Sequence, residues 1–390
     1  MNNLSLPVVE LRGSAVERGQ QYGEAAKERI HTSLEHYENA VGEATGLTWS
    51  QVLQRAEQWV ETCRGYAPDL MEEIEGVADG AGVEMLDVLT LNARGEIIYD
   101  TSFGKSTEGE ETVLDGCSSF SMTHGASGDG HVYAGQNWDW LHGSSETLMV
   151  LRIVQDPKPT IVMQVEAGQI GRQGANSAGL ALNANGLGGR FDESVGVPQA
   201  FIRRRVLDSA GLLEAVRVLN HAPQHIASNA LITHHDHFSI DLETTPGANG
   251  WMYPDDGLLV HGNHYQAFVP EQLAARYRPA SVDSLFRVPR LRERLLACRD
   301  AADSAEVRRR VHAAVSDHLG YPKSVCAHPD PTEGPHEQVS TLLSSLVDLT
   351  TGEYMLAPGM PCENDYELVP WNVFDGPGPD GPRRGGARSM

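Results

Sequence analysis

Asp115-Gly-Cys-Ser-Ser-Phe-Ser121, followed after a turn by Gly135-Gln-Asn-Trp-Asp-Trp140, marks the point where the texture of the chain changes. Upstream the pattern is helical. Downstream, short apolar segments alternate with period two and are separated by Gly, Pro and Asp turns. Residues 117–124, 131–140, 146–154 and 160–168 read as strands, and 179–184, 227–234, 238–244 and 257–263 continue the series. An amphipathic helix is expected over 197–219 and a longer helical region over 281–318. Two closing strands, 338–348 and 352–357, flank Thr350-Thr-Gly-Glu353.

Working back from Asp115, the first hundred residues read as helix. Ser14 with Glu17 forms a capping box ahead of a pattern that runs to about residue 43. Thr48 with Gln51 opens a second helix, and Pro68 suits the first position of a third. Gly80 and Gly82 are expected to close that helix, and 84–97 forms a fourth. Residues 101–112 are polar and aperiodic, an exposed connector. The tail from Gly376 is Gly, Pro and Arg and is expected to be disordered. Helices, then strands, then helices, then strands, with no repeat and no internal linker, predict one large α+β domain with antiparallel sheet.

The 390 residues are 40% hydrophobic, enough to bury a sizeable core. Asp plus Glu number 53 against 30 Lys plus Arg, a formal charge of −23. Such a surface repels phosphate backbones, so nucleic acid is not an expected partner. No apolar run is long enough for a membrane span, and the start lacks a charged region followed by an apolar stretch. The five cysteines are odd in number and none are spaced C-x-x-C. A reducing, cytoplasmic location is expected, with at least one thiol free for chemistry.

Gly116-Cys117 is a favourable place for a chain to cut itself. Glycine leaves its carbonyl unshielded, and the Cys117 thiolate can attack it to form a thioester that water opens. The product begins at Cys117 with a free α-amine of pKa about 7.7–8.0, near the working pH. That amine can act as general base for its own thiol. The plainer alternative is a small apolar residue at a strand start.

Asp115-Gly-Cys-Ser-Ser with Gly135-Gln-Asn-Trp-Asp-Trp140 resembles the penicillin (isopenicillin N) acyltransferase and carcinine hydrolase-like family of N-terminal nucleophile hydrolases, the autoproteolytic cysteine type. It is more distantly similar to bile salt hydrolases and penicillin V acylases. The resemblance covers most of the chain. It includes Leu11-Arg-Gly-Ser14 with Glu17-Arg-Gly19 and Gly23, and Glu75-Gly-Val-Ala-Asp-Gly-Ala-Gly82. It continues through Leu91-Asn-Ala-Arg-Gly-Glu96, Glu166-Ala-Gly168 and Gly174-Ala-Asn-Ser-Ala-Gly-Leu180. Val260-His-Gly-Asn-His-Tyr265 and the stretch from Ser340 to Pro361 complete it. The resemblance implies an αββα sandwich, two antiparallel sheets between helical layers. It implies cleavage between Gly116 and Cys117, leaving 1–116 as a helical chain within the same fold, 117–375 as the nucleophile-bearing part and 376–390 as the tail.

The resemblance also assigns roles. Cys117 is the nucleophile, with its own amine as base. Asp139 holds and polarises that amine. Asn263 donates its side-chain amide to the tetrahedral oxyanion. Of Asn176, Asn183 and Asn185, one lines the pocket, with Asn185 the choice, and Ser119 shares the face of Cys117 by strand geometry. Read without the family, Asp139 is a turn or salt-bridge carboxylate, Asn263 and the other Asn residues form turns, and Ser119 faces a neighbour in the sheet. One departure concerns Cys326-Ala-His328, where relatives often carry Arg in place of Ala327.

Three other readings stand beside this one. Thr233-His-His-Asp-His237 offers ligands for a metal-dependent hydrolase, but a hairpin need not bring His234 and His237 together. A papain-like Cys/His pair needs a helix at the nucleophile, where this chain has a β pattern. A non-catalytic binding protein would be an intact chain indifferent to Cys117. Within the family reading, a thioester on Cys117 opens to water or to an incoming amine. Hydrolysis of a linear amide, of the N-acyl or β-alanyl amine or penicillin side-chain type, is the first expectation. Acyl transfer from a coenzyme A thioester is the second. No cofactor and no metal are expected, and the expected partners are a small-molecule amide or acyl donor and the chain's own processed segment.

Overall fold

The computed structural model describes residues 4–99, 116–189, 191, 195–275, 277–279 and 281–376. The connector expected over 101–112 and the tail beyond Gly376 lie outside these residues.

Both capping boxes form. Ser14 accepts from the Glu17 amide and opens α1 (Ala15–Ala25), and Thr48 does the same through Gln51 for α3 (Trp49–Ala56). The helix expected to run to residue 43 is broken. Ala26, at φ −107° and ψ 10°, separates α1 from α2 (Lys27–Thr45). The second expected helix likewise splits into α3 and α4 (Gln58–Tyr66). Pro68 starts α5 (Pro68–Ala81), and Gly82 closes it in the left-handed region at φ +72°. Two short helices follow, α6 (Met85–Asn92) and α7 (Arg94–Tyr99).

Gly80 does not close α5; it lies inside the helix, where α5 meets α1. A Cβ at Gly19 would stand 2.1 Å from Glu73 O, and one at Gly23 2.2 Å from Val77 O. Conversely, a Cβ at Gly76 would stand 2.4 Å from Val16 O and one at Gly80 2.4 Å from Gln20 O. The two helix backbones therefore touch across two pairs of glycines spaced by four. The contact is locked by Glu73, which accepts from Arg18 Nη2 at 2.9 Å and from Arg204 Nη1 at 2.7 Å, all three side chains buried.

Two sheets carry the rest. The first has the order β1 (Val8–Arg12), β4 (Leu148–Val154), β5 (Ile161–Glu166), β6 (Gly174–Asn176), β7 (Leu180–Asn183), β8 (Ser228–His234), β9 (Phe238–Thr244), β10 (Asn249–Met252). The second has the order β11 (Leu258–His261), β2 (Ser118–Met122), β3 (Tyr133–Leu141), β12 (Val339–Asp348), β13 (Glu353–Pro358), β14 (Glu367–Leu368). Neighbours are antiparallel except β1 and β4, which pair parallel from Val8↔Val150 to Arg12↔Val154. This corrects two expectations: the first hundred residues are not all helix, and the first sheet is not wholly antiparallel.

Three apolar cores define four layers. Ile30, Trp59, Ile74 and Val77 of the N-terminal helices pack on Met149, Leu151 and Met163 of the first sheet. On the opposite face of the same strands, Leu148, Val150 and Val162 meet Trp138, Trp140 and Leu343 of the second sheet. Beyond it, Phe120, Met122 and Leu346 pack on Val288, Leu291 and Val311 of α11 (Ser284–Leu295) and α12 (Ser304–Val315). The architecture is the expected α+β, αββα sandwich.

The single helix expected over 197–219 is two, α8 (Gln199–Leu207) and α9 (Leu212–His221). The break is made from elsewhere in the chain: Asn176 Nδ2 donates to Leu207 O at 2.8 Å and to Ser209 O at 2.9 Å. A short α10 (Glu271–Ala274) precedes α11, and Asp303 caps α12 by accepting from Glu306 N at 2.8 Å.

The glycine contact makes a prediction opposite in sign to helix propensity. Gly23→Ala gains about 1 kcal/mol of propensity. Its methyl, however, overlaps a backbone carbonyl, and such overpacking costs about 1–3 kcal/mol. Urea unfolding should show a net loss of stability; a gain would overturn the close approach.

Candidate active site

β2 and β3 are neighbours, with Ser118 opposite Asn137 and Ser119 opposite Gln136. This register brings Cys117 beside the end of β3. The Cys117 thiol points at Asp139 O, 3.6 Å away, and Cys117 is only 2% exposed. Gly116 packs on the Asp139 carboxylate: a Cβ on residue 116 would lie 3.1 Å from Asp139 Oδ2. The Gly116-Cys117 peptide and the buried Asp139 carboxylate thus share one spot.

Asp139 is held by the next strand. Thr341 Oγ1 donates to Asp139 Oδ1 at 2.6 Å and accepts from Ala327 N at 2.9 Å. Thr341 faces Asp139 because the β12–β3 register shifts between Thr341 and Leu343, a bulge that re-aims the side chain.

The structure also places Arg287 here, a residue the sequence reading missed. It lies on α11, 1% exposed. Its Nη1 donates to Cys117 O at 2.8 Å and Ser118 Oγ at 2.7 Å, its Nη2 to Asn263 Oδ1 at 2.9 Å, and its Nε to Asp283 Oδ2 at 2.5 Å. One guanidinium therefore joins Cys117 to Asn263. The signal was present: Arg287 interrupts the buried stripe Ser284, Val288, Leu291, Leu295, and a charge on an apolar helix face needs a partner inside.

Asn263 follows β11, which ends at His261, two residues short of the strand expected to reach 263. Its backbone amide donates to Ser284 Oγ at 2.7 Å and its Nδ2 to Gly186 O at 3.1 Å. Asn185 is wholly buried and ties three elements together. Its Nδ2 donates to Ser119 Oγ and to Gly262 O, both at 3.0 Å, and its backbone amide to Asn229 Oδ1 at 2.6 Å. Asn176 spends its amide on the end of α8, and its Oδ1 accepts from Ala178 N at 3.1 Å and Leu180 N at 3.2 Å, a turn arrangement. Asn183 sits on β7 opposite Leu231.

The two tryptophans of β3 face the first sheet. Trp138 carries the Arg172 guanidinium 3.9 Å from its ring centroid. Burial, with the Arg94 and Arg203 cations, pulls Arg172 down to about 9, while the Glu166 carboxylate and, after it, the Cys117 sulfur act in the opposite direction. Trp140 Nε1 donates to Tyr37 OH at 2.7 Å, and Tyr37 in turn donates to Glu166, the ion-pair partner of Arg94. Burial alone would raise Glu166, but the Arg94 and Arg172 charges outweigh it and hold the carboxyl below its usual range. A narrow cleft of about 40 Å³ lies here, lined by Trp140, Arg94, Arg172, Arg203 and Ser228 among others.

The histidine hairpin is only partly drawn together. His234, His235 and Asp236 bring ligand atoms within 4.8 Å of one another. His237 is not in that group; it turns at φ +59° and its ring faces His124 at 5.7 Å. Cys117 leads into strand β2, not the helix a papain-like site needs.

A family model described as "Acyl-coenzyme A:6-aminopenicillanic acid acyl-transferase" matches residues 126–359, a span containing Asp139, Asn263, Arg287 and Thr341. The chain belongs to this family. The acyl-coenzyme A:6-aminopenicillanic-acid-acyltransferase 40 kDa form of Emericella nidulans is 30% identical over 259 residues, 66% of this chain and 68% of the relative. Among solved structures, a variant of conjugated bile acid hydrolase from Clostridium perfringens is similar at TM-score 0.45 and 14% identity, over 67% of this chain and 95% of that one. Penicillin V acylase from Agrobacterium tumefaciens is similar at TM-score 0.38 and 19% identity, over 62% and 82%. Membership makes the chain an enzyme of acyl chemistry. No helix among the described residues is long and apolar enough to cross a membrane.

Arg287→Met would strand Asp283, Asn263 Oδ1 and Cys117 O. Breaking a buried ion pair from one side costs about 3–5 kcal/mol, and the 18% exposure of the Asp283 side chain favours the low end. Chemical denaturation should register that loss, and a stability equal to the parent would remove Arg287 from the role of clamp.

Proposed function

We propose that the chain cuts itself between Gly116 and Cys117, and that the new Cys117 terminus then cleaves a linear amide through a thioester. The observation that carries this reading is the packing of Gly116 and the Cys117 thiol on opposite ends of the same residue, Asp139. In processing, the thiol sulfur attacks the Gly116 carbonyl carbon, the peptide nitrogen leaves as the α-amine of Cys117, and water opens the resulting thioester. Segments 1–116 and 117–390 result. They stay together, since β1 and α1 to α7 are built into the first sheet and its core.

In turnover the α-amine takes the thiol proton and the thiolate attacks the substrate carbonyl. Asp139 Oδ2, next to residue 116, is the acceptor that holds the amine. Asn263 presents the second proton of its Nδ2 to the oxyanion; Gly186 O takes the first, and Arg287 on Oδ1 fixes which way the amide faces. The amine proton passes to the leaving amine, and water then releases the acyl group. Asn185 uses both amide protons on Ser119 and Gly262, so in this reading it and Ser119 position the strands around the nucleophile. Arg172 favours a substrate with an anionic end in the cleft beside Trp138 and Trp140. The five free thiols suit a reducing compartment, in this reading the cytoplasm.

A second reading replaces the final water by an amine and takes the acyl group from a coenzyme A thioester. The name of the Emericella nidulans relative favours it. The two differ in the acyl donor and in what opens the Cys117 thioester. Screening N-acyl amines, β-alanyl amides and penicillins with and without acyl-coenzyme A separates them.

Intact-mass analysis of active protein should find chains 1–116 and 117–390. Cys117→Ala should give one uncut, inactive chain, and Cys117→Ser should cut slowly. Activity from an uncut chain would sink the reading. Once the protein is processed, Asn263→Ala should lower kcat by about 10²–10³, and Asp139→Asn should lower turnover more than it lowers stability.

A further inference from the structure

Outside the catalytic reading, four side chains from three segments converge on one point. His318 follows α12, Cys326 and His328 lie on the segment after it, and Cys362 lies on the turn after β13. Their ligand atoms are all within 4.8 Å of one another. His328 Nε2 is central: His318 Nε2 lies 3.1 Å away, Cys362 Sγ 3.4 Å and Cys326 Sγ 3.8 Å. A tetrahedral metal with arms of about 2.0–2.3 Å has edges of about 3.3–3.8 Å. The three separations bracket that range. One imidazole nitrogen can make one good hydrogen bond, so three polar atoms crowded around it are better satisfied by a shared cation.

We propose that His318, Cys326, His328 and Cys362 bind one divalent cation of the zinc class. Two sulfurs and two imidazole nitrogens in a tetrahedral set select zinc among common divalent ions, and four protein ligands leave no open position, so the site is structural. Binding displaces water from the aquo ion and one proton from each thiol. The two thiolates then cancel the charge of the metal, and the zinc undergoes no redox change.

The ligands are already in place. Cys326 N donates to Asp317 O at 3.1 Å and His328 N to Pro322 O at 2.9 Å. Thr341 N donates to Ala327 O at 3.0 Å, and Ala327 N returns a bond to Thr341 Oγ1 at 2.9 Å. Little ordering remains to be done on binding, which favours affinity. His318 and Cys362 are exposed and give the ion a way in, while buried Cys326 anchors the site. No C-x-x-C spacing announces the set, because residues 328 and 362 are joined only by the β12–β13 hairpin.

The test uses the full chain, kept reduced with a phosphine, loaded with zinc and dialysed free of excess. Elemental mass spectrometry should find about one zinc per chain. Cobalt(II) in its place should give the strong visible bands of a tetrahedral thiolate site. Cys362→Ser and His318→Gln change exposed ligands. Each should cut zinc affinity at least tenfold while keeping the circular dichroism spectrum of the parent. Cys117→Ala and His234→Gln should retain the metal, separating this site from the proposed nucleophile and from the histidine hairpin. Reduced parent protein that takes up neither zinc nor cobalt, or ligand variants that hold zinc as tightly as the parent, would overturn the proposal.

Discussion

Strand β3 is buried along its whole length, all nine residues from Tyr133 to Leu141. A polar side chain on such a strand must find its partner within the protein, since water cannot reach it. Each polar residue in Gly135-Gln-Asn-Trp-Asp-Trp140 reaches a different element. Gln136 exchanges two bonds with the backbone of Ala184, at 2.8 and 3.0 Å. Asn137 donates to Val315 O and Val325 O, both at 2.8 Å. Asp139 accepts from Thr341, and Trp140 reaches Tyr37 on α2. One strand thus fixes the first sheet, the end of α12, the neighbouring β12 and an N-terminal helix relative to one another, and Cys117 is placed by pairing beside it.

The same logic explains why so many residues in the motif stretches turn up as partners of each other. Arg94 and Glu166, quoted from separate segments of the sequence, form the ion pair under Trp140. Asn92 Oδ1 accepts from Ile170 N at 2.9 Å, and its Nδ2 donates to Gly168 O at 2.9 Å. Gly19 and Gly23 are matched by Gly76 and Gly80 because two helix backbones come into contact there. The end of the N-terminal helical layer, through Asn92 and Arg94, is therefore a wall of the cleft, and the helices behind it are constrained by the strands they support.

Local chemistry was legible in the sequence. Both capping boxes, Pro68 at a helix start and the alternating strands from Ser118 to Glu166 are set by neighbours within a few residues. What was not legible depends on distant partners. Val8–Arg12 is a strand only because it pairs with β4, about 140 residues on. The break after Leu207 is imposed by Asn176 from another element, and β6 is only three residues long. For the candidate site, the stretch around Cys117 and Asp139 could be read because Gly-Cys and Asn-Trp-Asp sit on adjacent strands. Thr341 could not, and Arg287 showed only as a charge on a helix face, with no partner named, since a β-bulge and a helix packed on the far face bring them in. The sequence pointed to His234 through His237 as the metal-like cluster, because adjacency in sequence is visible. The larger set of two sulfurs and two imidazoles is assembled from separated segments and leaves no such trace.

The electrostatics around Cys117 follow from the same burial. Among the described residues, the Glu166 carboxylate answers both Arg94 and Arg172, and Arg172 lies on the Trp138 face with its guanidinium 3.9 Å from the ring centroid. A buried guanidinium that must share its space with two others is held down to about 9 by that burial and crowding. Burial works against a thiolate just as it works against the guanidinium, so a thiolate at Cys117 and a cation at Arg172 relieve one another. In the proposed reaction this matters twice. It favours the charged sulfur before attack. Once the sulfur is acylated, Glu166 is still there but the charge on sulfur is gone, so an anionic group on the substrate meets a less neutralised Arg172 at that stage. Such an interaction speeds acylation to the extent that it is already felt in the transition state, where the sulfur is giving up its charge.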